Sequence, residues 1–85
     1  MWILDQDGLC LARCSTVSVS QNAKGEVRLY GYAYGCNQLL AKLPDLKTAR
    51  AVVRQLTYYV GRDVVVDVNE VIGAAEKEGK ALGGS

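Results

Sequence analysis

The chain has 85 residues, of which 49% are hydrophobic and 22% are charged, and its net charge is +1. These values are typical of a small folded domain with one modest core, and they exclude a disordered chain and a strongly basic nucleic-acid binder. His and Phe are absent, and the aromatic residues are five Tyr and one Trp. We therefore expect half-exposed rings at surfaces and no nucleophile activated by a histidine.

The N-terminal half predicts short antiparallel strands separated by tight turns. Residues 1–4 are an apolar run that ends in Asp5-Gln6-Asp7-Gly8, a sequence with turn chemistry, and residues 9–13 form the next strand. Residues 15–21 alternate between Val and Ser or Thr, the pattern of a half-buried strand. Residues 22–25 then form a hairpin loop in which Gly25 is placed for a positive φ.

The clearest strand covers residues 26–34, because apolar and larger polar side chains alternate along its whole length. Residues 38–43 form a fifth strand after a second turn. Beyond Pro44 the period changes, and Asp45 is a good N-cap for an amphipathic helix that stops at Gly61. Its predicted apolar stripe consists of Leu46, Ala49, Val53, Leu56 and Val60.

The predicted fold is therefore α+β, with an antiparallel five-stranded meander packed against one amphipathic helix. The β-branched residues 64–68 are either a sixth strand or a buried extension, and the pattern leaves both open. We expect one domain over residues 1–68. Residues 69–85, which contain several glycines, are expected to form a marginal helix and a flexible C-terminal tail.

Cys10, Cys14 and Cys36 are odd in number, and we expect no signal peptide, because the apolar run before Asp5-Gln6-Asp7-Gly8 is too short for one. We expect reduced thiols packed as small hydrophobic side chains in a cytoplasmic protein. Three thiols without a histidine make a poor zinc site, so we predict no metal and no cofactor. No apolar run is long enough to cross a membrane.

The most distinctive pattern is an outward row on the fourth strand, formed by Arg28, Tyr30, Tyr32 and Tyr34. Three tyrosine rings about 7 Å apart on one face form a broad amphipathic surface. Neighbouring strands, a second subunit or a bound planar ligand such as a nucleotide are the three ways to cover it. All three stay open at this point.

Two further groups lie on the predicted helix. Arg50 and Arg54 belong to a basic row that is either a solvated helix face or, with Arg28, a source of positive charge for the phosphates of a nucleotide. Tyr59, together with Val52 and Leu40, suggests a secondary apolar patch suited to self-association.

The pattern resembles a group of short proteins encoded by phages and prophages, especially those of Gram-positive bacteria. The likeness covers about residues 1–60: the opening Met1-Trp2-Ile3-Leu4-Asp5-Gln6-Asp7-Gly8, Val17-Ser18-Val19, the hairpin that contains tyrosines, and Pro44-Asp45 followed by Lys47-Thr48-Ala49-Arg50. The cysteines and residues 64–68 depart from it. The resemblance implies a phage context, in which small proteins often act by binding.

These observations predict a non-enzymatic, homo-oligomeric binding protein of phage type that opposes host defence. It would block a defence protein or sequester a nucleotide ligand. The alternative is a structural or assembly module of a virion or host complex. An enzyme is disfavoured because no paired general acid and base can be identified.

Overall fold

Five strands precede the first helix, and a sixth strand and a second helix follow it, in the computed structural model. The structure describes residues 1–33 and 35–83 and the side chains of residues 1–33, 35 and 37–77. Six strands form two three-stranded sheets in this part of the chain. The first sheet has the order β2-β1-β6, with β1 at Trp2–Leu4, β2 at Leu11–Arg13 and β6 at Val65–Asp67. The meander sheet has the order β3-β4-β5, with β3 at Thr16–Gln21, β4 at Val27–Ala33 and β5 at Cys36–Leu43.

The α+β class is confirmed, but the prediction of a single five-stranded meander against one helix is wrong. The first five strands are present, yet the chain bends between β2 and β3, so these two strands belong to different sheets. β2 pairs with β1, and β3 pairs with β4. At the bend the N–H of Cys14 donates to the carbonyl of Met1, and the N–H of Ser15 donates to the carbonyl of Tyr32. Adjacent residues thus bond to different sheets, and this divides the meander.

The apolar run after residue 63 contains a strand, which answers the question left open by its sequence. β6 pairs with β1 in parallel, and the register places Val66 beside Ile3. Both side chains belong to the core. Parallel neighbours need a long crossover connection, and the first helix supplies part of it.

That helix, α1, covers Leu46–Leu56 and continues as a short 3₁₀ helix at Thr57–Tyr59. Asp45 is the N-cap, as predicted, and its Oδ1 accepts a hydrogen bond of 2.7 Å from the N–H of Thr48. The buried residues of α1 are Ala49, Val52 and Leu56. Val60, which was expected in the apolar stripe, is 68% exposed because regular helical geometry ends before it.

A second helix, α2, covers Val68–Gly83, where the composition predicts only a marginal helix. Val68, Val71 and Ala75 are buried in the core. The helix packs against α1 and β6, and this tertiary contact compensates for the glycines in its sequence. The segment after residue 68 therefore contributes to the same core, while residues 84–85 lie outside the described residues.

The loop between β1 and β2 joins the two sheets. Asp5 is 8% exposed, and its Oδ1 accepts hydrogen bonds from the backbone N–H groups of Leu9 and Cys10. The N–H of Gln6 donates to the carbonyl of Leu40 on β5 at 2.8 Å. The side chain of Asn69, at the start of α2, donates to the carbonyl of Gln6. The loop is thereby bonded both to β5 and to the start of α2.

Candidate functional site

The central strand of the meander sheet presents different residues on its two faces. Leu29 and Gly31 are buried, whereas Tyr30 and Tyr32 alternate with them and are half-buried. Because successive strand residues point to opposite faces, both tyrosines lie on the face away from the core. α1 packs on the core face, where its buried residues join Val27 and Leu29.

Strand register shows what surrounds the two rings. Tyr30 lies between Ser18 on β3 and Leu39 on β5, and Tyr32 lies between Thr16 and Asn37. A register shift after Leu29 places Leu40 in the core and leaves Leu39, at 37% exposure, on the outer face. We call this surface the tyrosine face; it consists of Thr16, Ser18, Tyr30, Tyr32, Asn37 and Leu39.

Arg28 continues the outer row of β4 beyond Tyr30, with Ser20 on one side and Lys42 on the other. Its Nη2 donates to Glu26 Oε2 at 3.3 Å. The fourth predicted member of the row, Tyr34, lies outside the described residues. The outward placement that period 2 predicts thus holds for the three members that the structure describes.

The structure does not bring the helical arginines to this face. Arg50 and Arg54 are exposed on α1, whose buried residues pack against the core face of the meander sheet. The helix and the sheet therefore lie between these two arginines and the tyrosines, so one small ligand cannot contact both groups. Lys42, which the sequence reasoning missed, is a cation beside Arg28, and its position depends on the register between β4 and β5.

Tyr59 occupies a different region. It is half-buried on the 3₁₀ helix and lines a small cavity with Val66 of β6 and Val71 of α2. Val52 and Leu40, grouped with Tyr59 from the sequence, are 0% and 1% exposed. They belong to the core and not to a surface patch, because the helix turns Val52 toward the sheet and the register shift turns Leu40 inward.

The first sheet has an outer surface that was not predicted from the sequence. Trp2 and Leu4 alternate with buried Ile3 on β1, so they lie on the outer face of the first sheet. Leu11 and Val65, on the flanking strands, are 48% and 65% exposed. We call this surface the tryptophan face; its apolar members are Trp2, Leu4, Leu11 and Val65, and the strand register also places Arg13 beside Trp2 and Asp67 beside Leu4. The opening apolar run could have predicted that Trp2 and Leu4 share one face of a strand. The pairing of this strand with β6 could not be predicted from the sequence.

The cysteine side chains that the structure describes are free thiols at Cys10 and Cys14. Burial raises the pKa of the Cys14 thiol, and the nearby N-terminal ammonium opposes this shift. Cys14 therefore has little thiolate character. Among the described side chains, no group of three or more Cys, Asp or Glu residues is arranged to hold a metal ion.

Comparisons with protein-family models, with curated proteins and with solved structures found no match. No helix in the described part of the chain combines the length and the hydropathy needed to cross a membrane. The site is therefore interpreted from its own geometry.

Proposed function

We propose that the protein is a small non-enzymatic binding protein of phage type that opposes host defence and binds through the tyrosine face. The observation that supports this proposal is the pair of half-buried rings, Tyr30 and Tyr32, on the sheet face opposite α1. Tyrosines are enriched at binding surfaces because they bury a large area and lose little conformational entropy. The phage context comes from the resemblance of the sequence.

The surroundings of the rings support a binding role further. Ser18 and Thr16 on one side and Asn37 on the other supply short polar groups, while Leu39 adds apolar area beside Tyr30. Such a mixture suits the docking of a defence protein, and the rings also suit stacking with the base of a nucleotide ligand. Both modes of action use the same surface.

The absence of His from the sequence supports a non-enzymatic role. Asp5, the buried carboxylate among the described side chains, is already used by the backbone of the loop that it stabilises. A general base needs a free lone pair directed at a substrate, and this carboxylate lies in a structural turn.

A phage-plating assay tests the proposal directly. The protein is expressed in a bacterial strain that carries a defence system, and plating efficiency is compared for the wild type, the double variant Tyr30→Ser/Tyr32→Ser, and Tyr58→Ser. Tyr58 is 62% exposed on the 3₁₀ helix and is the matched control. We expect the wild type and the control to restore plating and the double variant to lose this effect while remaining folded by circular dichroism. A folded double variant with full activity would show that the tyrosine face is not the binding surface.

The tryptophan face favours a second candidate, an assembly module that forms a homo-oligomer. β6 is the outer strand of the first sheet, so one edge of its backbone has no strand partner among the described residues. A second copy offers the same open edge, and antiparallel pairing of the two edges would bring the apolar residues of both tryptophan faces onto one continuous sheet.

Native mass spectrometry over a range of protein concentrations tests this second candidate. We expect a discrete dimer for the wild type and for Tyr58→Lys, and a monomer for Val65→Lys, which places a charge at the proposed seam. A wild type that stays monomeric at the highest concentration would exclude it.

A further inference from the structure

An open basic cleft lies beside Arg28, at the hairpin end of the tyrosine face. The cleft has a volume of about 320 Å³, and the residues that line it include Lys24, Glu26, Arg28 and Lys42. Lys24 comes from the β3–β4 hairpin, and Lys42 comes from β5. Three cations therefore surround one carboxylate, which leaves the cleft positively charged.

Arg28 has donors that its protein contacts do not use. Its Nη2 bonds to Glu26 at 3.3 Å, whereas its Nε is buried and has no hydrogen-bond partner. A buried donor without a partner is unfavourable, and an exposed ion pair contributes little to hold the guanidinium in place. The side chains of Arg28 and Glu26 are 35% and 48% exposed. A rotation of the guanidinium toward an incoming anion would give Nε and an Nη atom a shared acceptor.

The charge state of Glu26 supports this description of the cleft. Its pKa is lowered, first by the hydrogen bond from Asn22 and then by the positive charge of Arg28 and, more weakly, of Lys42. Glu26 is thus ionised at neutral pH and opposes an incoming anion while it occupies Arg28. An anionic ligand would compete with Glu26 for this guanidinium.

The cleft and the tyrosine face are adjacent along one strand. Arg28 and Tyr30 lie two residues apart on the same face of β4, a separation of about 7 Å. Lys42 lies across from Arg28, and Leu39 lies across from Tyr30, so the cationic and aromatic rows are neighbours on β5 as well. A ligand with a flat ring beside a negatively charged group fits this arrangement.

We propose that the cleft binds the phosphate groups of a nucleotide whose base stacks on Tyr30. This inference rests on the proposed function, because it uses the tyrosine face as the binding surface and assigns the ligand class. Lys24, Arg28 and Lys42 supply the positive charge, in place of the two arginines on α1. A free nucleotide and a single-stranded oligonucleotide share this chemistry, and the test separates them.

Isothermal titration calorimetry at low salt with ADP, adenosine, pyrophosphate and an oligothymidylate provides the test. We expect ADP to bind at least about tenfold more tightly than adenosine or pyrophosphate. Of these three, only ADP has both a base to stack on Tyr30 and phosphates to contact the cations of the cleft. Preferential binding of the oligonucleotide would assign the site to single strands. If none of the four probes binds, the inference is wrong.

Three charge variants locate the phosphate. Lys42→Glu should weaken ADP binding by about tenfold or more, and Glu26→Gln should tighten it by about two- to threefold, because it removes the competing carboxylate. Lys47→Glu makes the same charge change on the exposed start of α1 and should alter affinity by less than about twofold. Equal effects of Lys42→Glu and Lys47→Glu would overturn the proposed phosphate site.

Failure of this inference can be distinguished from failure of the proposed function. If the double tyrosine variant no longer restores phage plating and none of the four probes binds the wild type, the tyrosine face remains the proposed binding surface and the nucleotide is rejected as its ligand. Nucleotide binding that is unchanged in the double tyrosine variant would reject stacking on Tyr30.

Discussion

The side-chain amide of Gln6 forms two hydrogen bonds with the backbone of Lys42: Oε1 accepts from its N–H at 3.0 Å, and Nε2 donates to its carbonyl at 3.3 Å. The amide thereby bonds to β5 as the backbone of a neighbouring strand would. Together with the bond from the Gln6 N–H to Leu40, it attaches the β1–β2 loop to the edge of the meander sheet. The same contact fixes the backbone from which the Lys42 side chain enters the basic cleft.

Replacing Gln6 with Ala should lower the free energy of unfolding by about 1–2 kcal/mol, because two hydrogen bonds are lost. Gln6→Glu should have an intermediate effect, since its carboxylate still accepts from Lys42 but cannot donate. Urea denaturation measures both. Gln21→Ala is the control, because Gln21 makes one long bond of 3.5 Å within its own hairpin. A cost for Gln6→Ala no larger than that of the control would contradict this role.

Gly31 is required because its backbone passes close to the Cys14 side chain. A Cβ added at Gly31 would overlap Cys14 Sγ and would lie 3.1 Å from Leu40 Cδ1. We expect Gly31→Ala to destabilise the protein by about 1–3 kcal/mol through overpacking. Adding Cys14→Ala removes the overlapping sulfur, so the double variant should be more stable than the sum of the two single effects predicts. A double-mutant cycle by chemical denaturation measures this coupling, and additive costs would contradict the overlap.

Asp45 should make stability depend on pH at the start of α1. The backbone N–H of Thr48 donates to its carboxylate and lowers its pKa below the usual value. A carboxyl group with a lowered folded-state pKa stabilises the fold fully above its unfolded pKa, and this contribution is lost as the pH falls through the folded pKa. Asp45→Asn keeps a capping oxygen but does not titrate. The difference in thermal midpoint between wild type and variant should therefore shrink below about pH 4; a constant difference from pH 7 to pH 3 would argue against it.

Val71 tests whether α2 is an integral part of the domain. Its side chain is 4% exposed, and truncation to Ala should cost about 1–3 kcal/mol of unfolding free energy. Val60→Ala, at a site that is 68% exposed, is the matched control and should cost much less. Equal effects in guanidinium denaturation would indicate that α2 does not unfold together with the core.

Local features of the fold could be predicted from the sequence because each depends on residues close together in the chain. The alternation that placed Tyr30 and Tyr32 on one face of β4 is a property of neighbouring residues. The cap at Asp45 needs only Thr48, and the positive φ of 84° at Gly25 needs only the hairpin. The helical period correctly identified α1 but extended it to Val60.

The tertiary structure alone decided which of these elements meet. The parallel pairing of β1 with β6, the bend that divides the meander and the bond from Gln6 to Lys42 all join segments far apart in sequence. Their positions depend on which arrangement buries the most apolar surface with its backbone groups paired, a property of the whole chain. For the same reason the sequence identified the tyrosines of the candidate site but grouped them with Arg50 and Arg54, whereas the folded sheet places Lys42 beside Arg28.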